Sequence, residues 1–167
     1  MLKESNMMSE EKSNREAGRR QTVLFLCTGN YYRSRFAEVY FNWLADREKL
    51  SWRADSRGLA LVIENVGPIS IHTRQYLARL GIPLPDPVRD PRDAAEPDFQ
   101  AAQLIVALKE AEHRPLMRSR FPMWAERVEY WRVHDLDFAP ASEALPQVQR
   151  HVETLFARLR RESPSNH

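Results

Sequence analysis

Residues 21–38 read QTVLFLCTGNYYRSRFAE, and this stretch decides the fold. Its first part, QTVLFLC, is apolar and rich in strand formers, which is typical of a strand buried on both faces of a sheet. From residue 34 to about residue 49, apolar side chains recur at helical spacing with charged residues between them. The stretch therefore predicts a strand, a short loop and an amphipathic helix in direct succession.

The same alternation continues along the chain. Three further runs favour strands, at SWRADSRG (51–58), QLIVAL (103–108) and VEYWRV (128–133). We expect the first of these to be more exposed than the strand at 21–27 and to end near Gly58.

Helical patterns lie between and after these strands. They cover residues 69–80, ending before Gly81, residues 109–120, and a last helix with Leu145, Val148, Val152, Leu155, Phe156 and Leu159 on one face. Residues 83–97 are dense in Pro, Asp and Arg and predict mostly loop, with a short strand near Val88. Strands separated by helices predict an α/β fold, a single-domain three-layer sandwich with a central four-stranded parallel sheet and helices on both faces.

Composition limits the class of protein. With 167 residues, 43% of them hydrophobic, the chain predicts one domain over 21–162, preceded by a mobile polar leader at 1–20 and followed by a tail at 163–167. The net charge of +2 is too balanced to indicate nucleic-acid binding, and no apolar run approaches the ~20 residues that cross a bilayer. A single cysteine and a polar N-terminus favour a cytoplasmic location for the protein.

That cysteine, Cys27, stands where the first strand ends, and in parallel sheets sites form at the carboxyl ends of the strands. The loop that follows contains Gly29, which allows close approach and unusual dihedrals, and Asn30, which tolerates a left-handed conformation. Its backbone amides and the helix N-terminus predict an anion site that favours a thiolate, and Arg33 offers a planar fork for phosphate oxygens. A lone cysteine is usually a buried small hydrophobe, but this surrounding loop favours a nucleophile.

The motif VLFLCTGNYYRSRFAE resembles the signature of the low-molecular-weight protein tyrosine phosphatases. The matching residues are Cys27, Gly29, Asn30, Arg33, Ser34, Ala37 and Glu38. A weaker likeness runs from about residue 22 to residue 161, in which ADSRG, QYLARLGI, QLIVALKEAEH and WRVHDLD occur in the family's order.

The resemblance implies a mechanism. Cys27 attacks phosphorus to form a phosphocysteine, Arg33 stabilises the phosphoryl oxygens, and Ser34 hydrogen-bonds the sulfur. Asp135 protonates the leaving oxygen and then activates water, although an aspartate where a strand ends is also common as a helix or turn cap.

The remaining loop positions are implied to hold the substrate, and a second group supports the site. The substrate-binding set is Thr28, Gly29, Asn30, Tyr31, Tyr32 and Ser34, and the supporting set is Ser56, Asp137 and Phe138. Tyr31 and Tyr32 fit two roles equally well: contact with the substrate at the rim of the pocket, or packing against the rest of the protein. No cofactor and no metal are expected, because the histidines lack paired ligand spacing.

Four positions depart from the family pattern. Asp135 is followed by leucine where the family has proline, and Tyr32 replaces a second cysteine found in many relatives. Arg35 stands at a customary proline, and Val62 lies about where some relatives place an aromatic wall.

The sequence thus predicts a cysteine-dependent phosphate monoester hydrolase, foremost a protein tyrosine phosphatase. Its partners would be a phosphorylated protein or a small phosphate monoester, with inorganic phosphate as product, and neither nucleic acid nor membrane. Two alternatives remain open: an arsenate reductase that uses an external small thiol, and a phosphate-binding or phosphoprotein-binding module with weak turnover. The oligomeric state and the physiological substrate are not predicted.

Overall fold

The structure is a computed structural model that describes residues 20–132 and 140–163. Its sheet has four strands in the order β2-β1-β3-β4, and every neighbouring pair is parallel. The strands are β1 (Thr22–Cys27), β2 (Arg53–Gly58), β3 (Leu104–Ala107) and β4 (Glu129–Tyr130). The predicted α/β class with a four-stranded parallel sheet is confirmed.

Five α-helices connect and follow these strands within the described residues. They are α1 (Arg33–Glu48), α2 (Ile71–Arg79), α3 (Glu96–Ala101), α4 (Glu110–Arg120) and α5 (Ala141–Glu162), with a short 3-10 helix at Ala125–Arg127. The predicted end of the second helix is confirmed, because Gly81 has a φ of 74° just after α2, in the left-handed region where glycine is favoured. None of these helices is long and apolar enough to cross a membrane.

Two hydrophobic layers cover the two faces of the sheet. Val23 and Phe25 of β1 belong to one buried cluster, which includes apolar side chains of α1, α2 and α5. Leu24 and Leu26 point to the opposite face, where Phe99 of α3 and other apolar groups cover them. Successive side chains of β1 thus point to opposite faces of the sheet and contribute to both hydrophobic layers. The three-layer arrangement is confirmed. The six apolar residues predicted on one face of the last helix are all buried.

Compared with β1, in which five of six residues are buried, β2 is the more exposed strand, as the sequence predicts. Four of its six residues are buried, although it lies at the edge of the sheet. The side-chain amide of Asn42 in α1 covers part of that edge, because it accepts a bond from Ala54 N at 2.8 Å and donates to Ala54 O at 3.0 Å. The edge of β2 is thus partly protected from solvent.

The segment between α2 and β3 differs from its prediction. No strand forms at Val88; the isolated parallel bridge in this segment joins Asp93 to Gly58. Helix α3 was not predicted, because six residues are too few to show a period. Strand β4 has two residues rather than six.

The fold brings the ends of β1 and β2 together beside the start of α1. Cys27 is paired with Gly58 in register. A Cβ atom on Gly58 would lie 2.8 Å from the carbonyl oxygen of Thr28 and 3.2 Å from Asn30 Cβ. Glycine at this position lets the loop after β1 lie directly against the end of β2.

Candidate active site

We call residues 27–33 the anion loop. Cys27 is 2% exposed at the end of β1, and α1 begins at Arg33 without a side-chain cap. The backbone amides of Gly29 and Tyr31 have no acceptor among the described residues. Free amides and an uncapped helix N-terminus next to a thiol form a site for an anion.

The sulfur of Cys27 has two close polar contacts. Its Sγ atom lies 2.8 Å from Ser34 Oγ and accepts a bond from Asn30 N at 3.2 Å. Ser34 Oγ in turn accepts a bond from Asn30 Nδ2 at 3.0 Å. Either atom of the Cys27–Ser34 pair can donate, and the Ser34 hydroxyl donates to the sulfur when Cys27 is a thiolate. The arrangement stabilises negative charge on Cys27.

Asn30 holds the loop in shape. It is fully buried with a φ of 48°, and its Nδ2 also donates to Ser56 Oγ at 2.8 Å. Its Oδ1 accepts from Arg92 N and from the Arg89 guanidinium, each at 3.0 Å. Asn30 is thus the loop residue that adopts the left-handed conformation. Gly29, at which we expected an unusual dihedral, does not have a positive φ. These bonds fix which way the Asn30 amide faces.

Arg89 is a site residue that sequence reasoning missed. Its guanidinium donates to Glu38 Oε1 and to Ser56 O, each at 2.8 Å, in addition to Asn30. Ser56 Oγ donates to the same Glu38 oxygen at 2.7 Å. Arg89 comes from the loop-rich segment 83–97, which has no periodicity to single out one arginine. It joins that segment to the anion loop.

Glu112, near the start of α4, is a second missed residue. It accepts bonds from both Nη atoms of Arg33 at 3.2 Å, and Thr28 Oγ1 donates to it as well. Burial of Glu112 disfavours its charge, but the Arg33 and Thr28 hydrogen bonds outweigh this and lower its pKa to about 2. An ionised Glu112 therefore orients Arg33. The available signal was an acidic side chain in the first turn of a helix that follows a strand end.

His113 lies next to this pair and is fully buried. Its Nδ1 accepts a bond from Lys109 N at 3.0 Å. Burial lowers the pKa of His113 to about 4, against the opposing effect of Glu112. The ring is therefore neutral at pH 7, and the 3.7 Å contact from its Nε2 to Glu112 is not an ion pair.

The two tyrosines of the anion loop face different surroundings. Tyr31 is half-buried and donates its hydroxyl to Val66 O at 2.6 Å. Tyr32 lies edge-on to His72, with ring centroids 6.3 Å apart, and packs against the core. Tyr31 joins the anion loop to the segment after β2, and Tyr32 joins it to α2.

A protein-family model for low molecular weight phosphotyrosine protein phosphatases matches residues 22–163. The chain belongs to this family. The resemblance carried by the anion loop is thereby confirmed, and the fold holds a cysteine-based phosphatase. No curated protein sequence matches the chain significantly.

Solved structures of this family share the fold of the phosphatase. The YfkJ protein from Bacillus subtilis is 26% identical, with a TM-score of 0.72, and the match covers 86% of this chain and 97% of that one. A low molecular weight protein tyrosine phosphatase from T. tengcongensis is 24% identical, with a TM-score of 0.68 and coverage of 86% and 99%. The YwlE arginine phosphatase from Geobacillus stearothermophilus is 19% identical, with a TM-score of 0.65 and coverage of 88% and 99%.

The structure brings most of the expected phosphatase site residues together. Those at one place are Cys27, Thr28, Gly29, Asn30, Tyr31, Tyr32, Arg33, Ser34 and Ser56. Asp135, Asp137 and Phe138 lie outside the described residues, so their roles remain predictions.

Proposed function

We propose that this protein removes phosphate from phosphotyrosine in protein substrates, with Cys27 as the nucleophile. The observation that carries the proposal is the sulfur of Cys27, 2.8 Å from Ser34 Oγ and 3.2 Å from Asn30 N, at an uncapped helix N-terminus. A stabilised sulfur anion beside convergent amides suits attack on a bound phosphoryl group.

The proposed reaction has two steps. In the first, the Cys27 thiolate forms a bond to phosphorus while the bond to the ester oxygen breaks, and Asp135 gives that oxygen a proton. In the second, water attacks phosphorus, Asp135 takes a proton from the water, and the S–P bond breaks to release inorganic phosphate and the thiolate. Arg33 and the loop amides hold the phosphoryl oxygens throughout.

The surface around the anion loop supports a protein substrate. Among the described residues, six large apolar side chains are exposed, and five of them lie between Leu61 and Ile71. Ile63 is 95% exposed and Val66 is 84% exposed. Because the Tyr31 hydroxyl binds Val66 O, this apolar segment is attached to the anion loop. Exposed apolar patches of this kind favour contact with another protein.

Purified protein tests the chemistry. We expect phosphate release from a phosphotyrosine peptide and from p-nitrophenyl phosphate, and we expect Cys27→Ser to retain less than about a hundredth of the activity while it keeps its fold by circular dichroism. Thiol-dependent reduction of arsenate without ester hydrolysis would favour the reductase. Phosphate binding with neither reaction would favour a binding module. Release from a phosphoarginine peptide alone would keep the cysteine chemistry and refute the tyrosine assignment.

A second experiment tests the protein substrate. The double variant Ile63→Ser, Val66→Ser should raise KM for a phosphotyrosine protein several-fold and leave p-nitrophenyl phosphate hydrolysis unchanged, because the small ester does not reach the patch. Met123→Ser is the matched control, since Met123 is 83% exposed but lies outside the 61–71 segment. If the double variant and the control behave alike on the protein substrate, the patch has no part in recognition.

A further inference from the structure

Arg35 is a buried arginine directly after the anion loop and Ser34. It is the third residue of α1 and is only 3% exposed. Its Nη1 donates to Pro68 O and its Nη2 donates to Arg89 O, each at 2.8 Å. Its Nε has no hydrogen-bond partner among the described residues. A buried cation that faces neutral carbonyls is costly to folding, so packing alone does not account for Arg35.

The two carbonyls belong to the two segments that flank the anion loop. Pro68 lies in the segment after β2, whose Ser70 N donates to Tyr31 O at 2.9 Å. Arg89 lies in the segment after α2 and binds Asn30 Oδ1 at 3.0 Å. One guanidinium therefore joins both flanking segments to the start of α1. Loss of either bond would loosen a contact that shapes the loop.

The charge of Arg35 also acts on the site. Burial lowers the pKa of Arg35, and the neighbouring Arg89 cation acts in the same direction. Glu38, Cys27 and Asp90 oppose these effects by attraction. Arg35 directly follows Ser34, whose Oγ lies 2.8 Å from Cys27 Sγ, so its buried cation is placed to attract a thiolate at that position.

We propose that Arg35 is a positioning residue for the phosphatase reaction, because its guanidinium fixes both segments that flank the anion loop and places a positive charge near Cys27. This inference rests on the proposed function of Cys27 as nucleophile. It assigns two separable effects to one side chain. The bidentate bonds set the geometry of the loop, and the charge sets the reactivity of the sulfur.

Two variants separate the effects. Arg35→Met keeps an apolar stem but removes the charge and the donors, whereas Arg35→Lys keeps the charge and loses the fork that spans two carbonyls. Arg47→Met is the matched control, because Arg47 lies in the last turn of the same helix and is exposed. The measurements are the rate of Cys27 alkylation by iodoacetamide at pH 6, protection by inorganic phosphate, and kcat and KM for p-nitrophenyl phosphate.

We expect Arg35→Met to slow alkylation at pH 6 about tenfold, as the loss of one nearby buried charge predicts, and to lower kcat/KM by at least as much. Arg35→Lys should alkylate within about twofold of wild type but show weaker phosphate protection and a kcat lowered about fivefold or more. Arg47→Met should leave the alkylation rate, the phosphate protection, kcat and KM unchanged.

The proposal is overturned if folded Arg35→Met alkylates and turns over like wild type while only its melting temperature falls. Should Arg35→Met fail to fold, a folded Arg35→Lys with wild-type kcat and phosphate protection overturns it equally. Alkylation and phosphate protection need no turnover, so an inactive wild-type protein would refute the proposed function without deciding the role of Arg35.

Discussion

Acidification should weaken the fold through one buried histidine, His113. The ring is fully buried, and its Nδ1 accepts a bond from Lys109 N, so the folded state holds it neutral. The substitution His113→Asn removes the titrating group and keeps an acceptor for that N–H, because the asparagine oxygen lies close to the position of Nδ1. The variant thus tests the proton without deleting the hydrogen bond.

The magnitude follows from the pKa of His113, which burial lowers from 6.5 to about 4. A base whose pKa is lower in the folded state takes up a proton first in the unfolded state. Its contribution to stability is therefore complete above pH 6.5 and is lost as the pH falls toward 4. Between pH 7.5 and 5.0, linkage gives a loss of about 2 kcal/mol in the free energy of unfolding from this residue alone.

Urea unfolding followed by tryptophan fluorescence at these two pH values measures the loss, and the chain contains four tryptophans. The wild type should lose about 2 kcal/mol more between pH 7.5 and 5.0 than His113→Asn does. His72→Asn, at an exposed position in α2, should keep the wild-type dependence. If His113→Asn loses as much stability as the wild type over this range, His113 is not held neutral and the reasoning is wrong.

Three further predictions concern the loop, the acid and the end of β2. Arg33→Lys keeps the charge but not the planar fork, so kcat/KM should fall at least about tenfold in steady-state assays; full activity would exclude the clamp. Asp135→Asn should slow hydrolysis of phosphotyrosine by about 10² to 10⁴-fold, much more than that of p-nitrophenyl phosphate, and Asp137→Asn should do neither; exchanged behaviour would make Asp137 the acid. Gly58→Ala would place a Cβ 2.8 Å from the Thr28 carbonyl, so the free energy of unfolding measured in urea should fall by more than about 1 kcal/mol, and an unchanged value would contradict this packing.

The sequence predicts those parts of the fold that repeat or that lie close together in the chain. Strand β1 and helix α5 follow their apolar patterns, because a buried face imposes a regular spacing. The contacts of Cys27 with Asn30 and Ser34 lie within eight consecutive residues, so one motif contains both the nucleophile and its nearest partners.

The sequence does not predict which residues from distant segments bind the anion loop. Arg89 and Glu112 lie 59 and 79 residues from the loop residues that they bind. In a chain with 25 basic and 23 acidic residues, no spacing rule selects these two from the others. The cover on the edge of β2 was not predicted for the same reason, because the side chain that provides it, Asn42, belongs to another element.

The partners from distant segments together set the charge around the anion loop. Arg33 is paired with Glu112, and Arg89 is paired with Glu38. Arg35 has carbonyl partners and no carboxylate among the described residues within salt-bridge distance. Two of the three cations are therefore paired with carboxylates and oriented, and the third is held by carbonyls one residue after Ser34. A fixed, partly compensated field of this kind favours a phosphoryl group that gains charge in the reaction over a neutral ligand of the same shape.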